Sequence, residues 1–167
     1  MNILLHDLDG ETLSALNFAP NSNTIVISDN GRIKNCIGCF GCWIKTPGIC
    51  VLKDGYETMG ELLSKCEELT IVSQCVYGSY SPFVRNIFDR SLPYLLPYFV
   101  KRNGETHHKS RYHNKLQLHV YFYGENITDQ EKRTSEALVK ANAVNFYADH
   151  VSVHFCQHPR DIKEVCA

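Results

Sequence analysis

Residues 69–90 read LTIVSQCVYGSYSPFVRNIFDR and contain a strand, a turn and the start of a helix. The segment 69–75 is apolar and rich in residues that favour strands, so it predicts a buried strand. Ser81 followed by Pro82 predicts a helix that begins there and runs past Phe88, because serine caps helices and proline suits the first helical position. A strand followed by a helix is the unit from which parallel sheets are built.

The same alternation extends over the whole chain. Apolar strands recur with helical segments between them, which is typical of a parallel sheet covered by helices on both faces. Thr128 opens a capping box and predicts one further helix, and Asp54 with Glu57 predicts the N-cap of another that runs through Cys66. The other four predicted strands are 2–6, 24–28, 116–123 and 150–156.

Three segments between the predicted strands and helices allow further predictions. The first crossover, 7–23, has room for one short helix at most. The segment 101–115 is long, basic and rich in histidine, and we expect a solvated loop there. The aromatic run 93–99 is expected to pack in the core, with an oligomer surface or a wall over a ligand as the alternatives.

Composition limits the classes of function. The chain has 167 residues, 44% hydrophobic and 21% charged, with a net charge of -1, which fits one globular domain over residues 1–167. No basic face indicates a nucleic-acid partner, and no apolar run is long enough to span a membrane. Because the N-terminus lacks a secretory signal, we expect a cytoplasmic protein whose eight cysteines stay reduced.

Four cysteines cluster in one segment. Cys36, Cys39, Cys42 and Cys50 are separated by two, two and seven residues. Thiolates at such spacing can turn towards one soft metal ion or an iron–sulfur cluster, which indicates metal or redox chemistry. A zinc ion, a reversible dithiol at Cys39 and Cys42, and free thiols are the alternatives that the residues leave open.

Over residues 35–90 the chain resembles a known family. The cysteine segment is followed by Val51-Leu52-Lys53-Asp54, then by Val76-Tyr77-Gly78 after a strand, and by Phe88-Asp89-Arg90 in a helix. This succession is similar to that of flavodoxin-like NAD(P)H-dependent FMN reductases and iron–sulfur flavoproteins. The resemblance implies an α/β, three-layer αβα sandwich with a five-stranded parallel sheet of order 2-1-3-4-5, here with a shortened first crossover, and FMN at the carboxyl ends of the strands.

The resemblance also implies which residues serve the cofactors. Tyr77 is expected to contact the flavin ring, Tyr123 and Gly124 to form a second ring-binding loop, and Asp89-Arg90 to be a structural pair. The four cysteines would hold a 4Fe-4S cluster at the same edge of the sheet. The electron donor would be NAD(P)H, the acceptor a small molecule or a redox protein, and the assembly a homodimer. The first ring-binding loop consists of Gln74, Cys75, Val76, Tyr77, Gly78, Ser79 and Tyr80.

The loop after the first strand departs from the family pattern. Family members carry Ser, Thr, Arg and Gly there, and these residues hold the FMN phosphate at a helix N-terminus. This chain has Asp7, Asp9 and Glu11 instead, which would repel a phosphate dianion unless they turn away. Two competing hypotheses follow: a non-catalytic relative that has lost FMN and uses the cysteine segment for metal binding or protein contact, and a thiol-based redox sensor.

Overall fold

A central parallel sheet organises the structure, a computed structural model that describes residues 1–16, 22–102 and 104–162. The strands are β1 (Asn2–His6), β2 (Thr24–Ile27), β3 (Glu68–Gln74), β4 (Leu95–Arg102), β5 (Glu105–Ser110), β6 (Leu116–Tyr123) and β7 (Ala148–Cys156). Five of them form a sheet of order β2-β1-β3-β6-β7, in which every neighbouring pair is parallel. This order confirms the predicted fold class.

Helices lie on both faces of the sheet. They are α1 (Gly10–Ala15), α2 (Gly41–Ile44), α3 (Met59–Ser64), α4 (Pro82–Arg90) and α5 (Asp129–Phe146). Helices α3, α4 and α5 pack on one face through residues such as Leu63, Val84 and Val139. In the described part of the first crossover, α1 is a short helix, as expected, and the residues that flank it pack on the other face. None of the helices in the described ranges is both long and apolar enough to cross a lipid bilayer.

Alternate residues of each strand supply the two cores. On β1, Ile3 and Leu5 enter the larger core, while Leu4 joins a smaller cluster with Leu16 and Ile162. Successive side chains of a strand point to opposite faces, so one strand serves both layers. Because both faces are covered, β1 shows a continuous apolar run instead of strict alternation.

Two of the three predicted helix caps are present in the structure. The hydroxyl of Ser81 caps α4 and Thr128 forms a capping box at the start of α5, so both helices begin where predicted. The predicted cap at Asp54 is wrong, since α3 begins only at Met59. The Asp54 carboxylate instead accepts hydrogen bonds from the guanidinium of Arg90, and this tertiary contact overrides the local capping preference.

The prediction of a solvated loop at 101–115 is also wrong, because β4 and β5 form an antiparallel hairpin apart from the central sheet. His108 on β5 packs between Trp43 and Phe99, with ring centroids 4.9 and 4.8 Å away. Polar residues make up β5, so apolar periodicity does not reveal it. Within the aromatic run, Tyr94 is buried in the core as expected, whereas Tyr98 and Phe99 are exposed.

The packing of α3 generates a stability prediction. A Cβ added at Gly60 would lie 2.9 Å from the backbone nitrogen of Tyr94 and 3.0 Å from the carbonyl oxygen of Gly48. Because these are backbone atoms, we expect Gly60→Ala to lower the free energy of unfolding by about 1–3 kcal/mol in urea denaturation. The control is Gly10→Ala, which meets nothing within 4 Å. Equal losses in the two variants would contradict the packing argument.

Candidate functional site

The side chain of Asp7 joins the carboxyl ends of three strands. It directly follows β1, and its carboxylate accepts the backbone amide of Gln74 at 2.9 Å and the hydroxyl of Tyr123 at 3.1 Å. These two residues end β3 and β6. Burial, with the nearby Asp7 carboxylate, raises the pKa of Tyr123 above its usual range, so its hydroxyl stays protonated and continues to donate.

A cleft of about 490 Å³ opens at this edge of the sheet. Gln74, Cys75, Tyr123 and Gly124 all line it, so the structure brings together these four residues of the two predicted ring-binding loops. Its volume lies within the range of small-molecule sites. Ligands of open parallel sheets bind outside the carboxyl ends of the strands, which is where this cleft lies. We call it the rim cleft.

The turn after β3 presents an exposed tyrosine. Val76 and Ser79 exchange backbone hydrogen bonds of 2.8 and 3.0 Å, which close a tight turn over Tyr77 and Gly78. Tyr77 is 90% exposed and has a φ of 52°. This left-handed conformation is uncommon for residues other than glycine, and such backbone strain is concentrated at functional sites. The turn therefore holds Tyr77 in solvent, and its side chain does not line the rim cleft.

Tyr80 lies in the core and not at the rim. Its side chain is 2% exposed, its ring packs against Phe88 and Phe122, and its hydroxyl accepts the side-chain amide of Asn142 at 3.4 Å. Its ring is therefore closed to a ligand, contrary to the expectation that it neighbours the flavin. Sequence alone does not separate it from Tyr77, because the tertiary fold decides which of the two tyrosines faces inward.

The loop after β1 does not fit a phosphate group. Asp9 caps α1 with its own carboxylate, which accepts the amide of Thr12 at 2.7 Å, and these hydrogen bonds lower the pKa of Asp9. The Thr12 amide, which could otherwise donate to an anion, therefore already has an acceptor. Asp7, Glu11 and Arg160 line the same region, so carboxylates outnumber the arginine. A flavin ring fits the rim cleft by size and position, whereas the phosphate of FMN does not fit beside it.

The four clustered cysteines line one small cavity in another part of the fold. Cys36 and Cys39 are exposed, whereas Cys42 and Cys50 are buried. Burial, with smaller contributions from the neighbouring thiols, raises the pKa of Cys42 to about 11. This thiol therefore stays protonated at neutral pH unless a metal ion replaces its proton. We call this site the cysteine cavity.

The cysteine cavity is small, and its thiols are not arranged around a metal ion. Its volume is about 20 Å³, enough for roughly one water molecule. Across the described ranges, no three histidine, cysteine, aspartate or glutamate side chains are arranged as a metal centre. The donor set matches a soft ion such as zinc. A 4Fe-4S cluster at Cys36, Cys39, Cys42 and Cys50 does not fit in this conformation and would require the segment to open.

A single buried arginine holds the cysteine segment in place. Arg90 is 1% exposed and pairs with Asp54, with N–O distances of 2.6 and 2.9 Å. It also donates to the carbonyls of Lys34 and Leu52 at 2.8 and 3.0 Å, and its Nε donates to Cys50 Sγ at 3.2 Å. Arg90 therefore has structural contacts, whereas Asp89, the other member of the expected pair, is exposed. Sequence analysis missed the direct contact with Cys50, which no spacing rule reveals.

The rim cleft and the cysteine cavity lie at opposite ends of α4. Ser81 begins the helix at the rim, where its amide donates to Ser73 Oγ on β3. Arg90 ends the helix at the cysteine cavity. Eight residues of α-helix rise by about 12 Å. None of the four clustered cysteines lines the rim cleft.

Comparisons with known proteins define the fold. No family model matches the chain, and no curated protein matches it in sequence. The Trp repressor binding protein from Bacillus subtilis is similar in structure, with a TM-score of 0.50 and 14% identity over 97% of this chain and 90% of that chain. An FMN-dependent NADH-azoreductase from Bacillus anthracis str. Ames Ancestor, solved in complex with FMN, gives 0.53 and 10% over 99% and 90%. With the strand order, these similarities establish a flavodoxin-like, three-layer fold.

The Arg90 pair generates a second stability prediction. Asp54→Asn leaves the guanidinium buried without a counter-charge, so we expect the free energy of unfolding at neutral pH to fall by about 3–5 kcal/mol in urea denaturation. Asp89→Asn is the control, because Asp89 precedes Arg90 but is exposed. That substitution should change stability by less than about 0.5 kcal/mol.

The difference in stability between wild type and Asp54→Asn should depend on pH. Hydrogen bonds from Arg90 lower the pKa of Asp54 from 3.8 to about 2. The unfolded chain regains the ordinary value, so the stabilisation is complete above about pH 4 and is lost as the pH falls towards about 2, a loss of about 2 kcal/mol. The stability gap between wild type and Asp54→Asn should therefore shrink over this range. A gap that does not depend on pH would contradict the assignment.

Proposed function

We propose that the protein is a flavin-dependent oxidoreductase that takes electrons from NAD(P)H. The observation that carries the proposal is the rim cleft, where Gln74, Cys75, Tyr123 and Gly124 line a space of suitable size. The exposed Tyr77 lies two residues beyond Cys75 in the same loop. The similarity in fold to an azoreductase that was solved with FMN supports the choice of a flavin. A bound flavin supplies the hydride and electron chemistry, so no acid or base need be assigned among the side chains.

The residues of the rim cleft hold and orient the ring in this proposal. Tyr77 offers an aromatic face for stacking, and Gly124 lets the backbone approach the ring closely. Asp7 fixes the spacing between the two loops through its bonds to Gln74 and Tyr123. FMN remains the cofactor predicted from the resemblance, although its phosphate finds no fitting partner in the loop after β1.

The partners and the assembly are part of the same proposal. The electron acceptor is a small molecule or a redox protein, since the rim cleft is open to solvent. The assembly is a homodimer, and the exposed rings of Tyr98 and Phe99 on β4 are candidate contacts for the second copy. Size-exclusion chromatography with light scattering measures the assembly directly.

A second candidate function rests on the cysteine cavity. Four thiols line one cavity, and a buried arginine donates to the sulfur of Cys50. A chain that has lost flavin binding would use this site for a soft metal ion or for reversible thiol oxidation at Cys39 and Cys42. The self-capped α1 favours this alternative, because it removes the usual phosphate site. Iron and zinc analysis of anaerobically purified protein tests both the single ion and the 4Fe-4S cluster.

Flavin uptake by the purified protein tests the first proposal. We expect Tyr77→Ala to weaken the binding of added flavin by about three- to tenfold, since stacking on an exposed ring is lost, as measured by fluorescence quenching. Tyr98→Ala removes another exposed tyrosine, on the separate two-stranded sheet, and should leave the affinity unchanged. Bound flavin should be reduced by NADH or NADPH under anaerobic conditions.

Two results would overturn the flavin proposal. One is a protein that takes up neither FMN nor riboflavin. The other is a bound flavin that neither NADH nor NADPH reduces. Stoichiometric zinc or iron in a protein that binds no flavin would instead support the second candidate.

A further inference from the structure

A second cleft adjoins the rim cleft, so a ligand in one reaches the other. This neighbour has a volume of about 520 Å³ and lies at the end of β1 beside α1. Tyr123, His158 and Pro159 line both clefts. A ring bound between the loops after β3 and β6 thus has room to extend its side chain over the loop after β1. The chemistry of that loop decides which side chain is accepted.

Two backbone amides near the start of α1 already donate to Asp9. The amide of Thr12 donates to the Asp9 carboxylate at 2.7 Å, and the amide of Leu13 donates to the Asp9 carbonyl at 2.9 Å. Helix α1 is six residues long, so its dipole is small. Its first turn also carries Glu11. A phosphate group here would compete with an intramolecular cap that is already in place.

The side chains of the loop are mostly acceptors. Asp7, Asp9 and Glu11 line the second cleft with three carboxylates, against one guanidinium from Arg160 and the ring of His158. Carboxylate oxygens repel a dianion and accept hydrogen bonds from hydroxyl groups. The loop therefore suits an uncharged polyol chain and opposes a phosphate ester.

We propose that this protein binds a flavin that lacks the 5′-phosphate in preference to FMN. The inference rests on the proposed function, since it assigns the chemical class of ligand to the same rim cleft. The ring occupies the rim cleft, and the hydroxyl groups of the ribityl chain donate to the carboxylates beside α1. The acidic loop thus acts as a specificity element that rejects the phosphorylated cofactor.

Equilibrium binding of riboflavin and FMN tests the inference. The full chain is titrated with each flavin at about pH 8, where the phosphate is a dianion and free histidine is neutral. We expect riboflavin to bind about tenfold or more tightly than FMN at low ionic strength. The preference should shrink in about 0.5 M salt, because repulsion between partly exposed charges is screened.

Charge-removing variants identify the cause of the preference. Asp9→Asn keeps a side chain that caps helices as well as aspartate does, and Glu11→Gln keeps the shape of the side chain. The double variant should bind FMN more tightly than wild type does and riboflavin no more tightly, so that the two affinities approach each other. Glu136→Gln removes an exposed carboxylate on α5, outside the residues that line either cleft, and is the matched control. It should leave the ratio of affinities unchanged.

The possible outcomes separate this inference from the proposed function. Equal or tighter binding of FMN by wild type overturns the inference and leaves the flavin proposal standing. A preference for riboflavin that survives the double variant overturns the role assigned to Asp9 and Glu11. Failure to bind either flavin overturns the inference together with the proposed function.

Discussion

The carboxylate of Asp7 is the constraint on which the rim of this protein depends. It follows β1 and accepts hydrogen bonds from the ends of β3 and β6, through the amide of Gln74 and the hydroxyl of Tyr123. The hydroxyl of Ser73 also donates to it, and a half-buried carboxylate with three donors holds its partners more firmly than a neutral acceptor would. The strained turn at Tyr77 and the rim cleft both lie directly beyond these partners. The same negative charge makes the rim hostile to a phosphate group.

The hydrogen bonds of Asp7 and Asp9 explain in structural terms why the loop after β1 is acidic. In the related pattern, small and basic residues leave the loop after the first strand open to an anion. Here Asp7 ties strand ends together and Asp9 completes α1, so both carboxylates satisfy donors of the protein itself. These two carboxylates therefore occupy donors of the protein that could otherwise bind a phosphate group. Rim stability and ligand selectivity are consequences of the same residues.

A second constraint acts at the other end of α4. Arg90 is buried against Asp54 and donates to carbonyls on both sides of the cysteine segment as well as to Cys50. The segment around Cys36 to Cys50 has one short helix, α2, and so its position depends on these tertiary bonds. A buried charge is stable only while its partner remains, which makes this contact a requirement for the cavity's shape. The two sites are thus built independently on one scaffold.

Sequence patterns predicted the elements whose stability is local or whose burial is complete. The central strands β1 and β3 carry apolar runs that are buried on both faces, and the caps at Ser81 and Thr128 act within one turn of helix, so each left a readable pattern. The predictions that were wrong concern residues whose contacts are with residues distant in the sequence. Asp54 pairs with Arg90 instead of capping a helix, and the polar strand β5 gains its place from Trp43 and α5. The burial of Tyr80 and the separation of the cysteines from the rim follow from tertiary packing that no spacing of residues encodes.

The central claim is that a planar ligand binds between the loops after β3 and β6. A ¹⁵N-labelled sample titrated with riboflavin and followed by amide chemical shifts tests it most directly. The account predicts that the shifts are concentrated at residues 74–79 and 123–127 and extend into 7–13. Shifts confined to the cysteine segment 36–50, with the rim unchanged at saturating ligand, would contradict it.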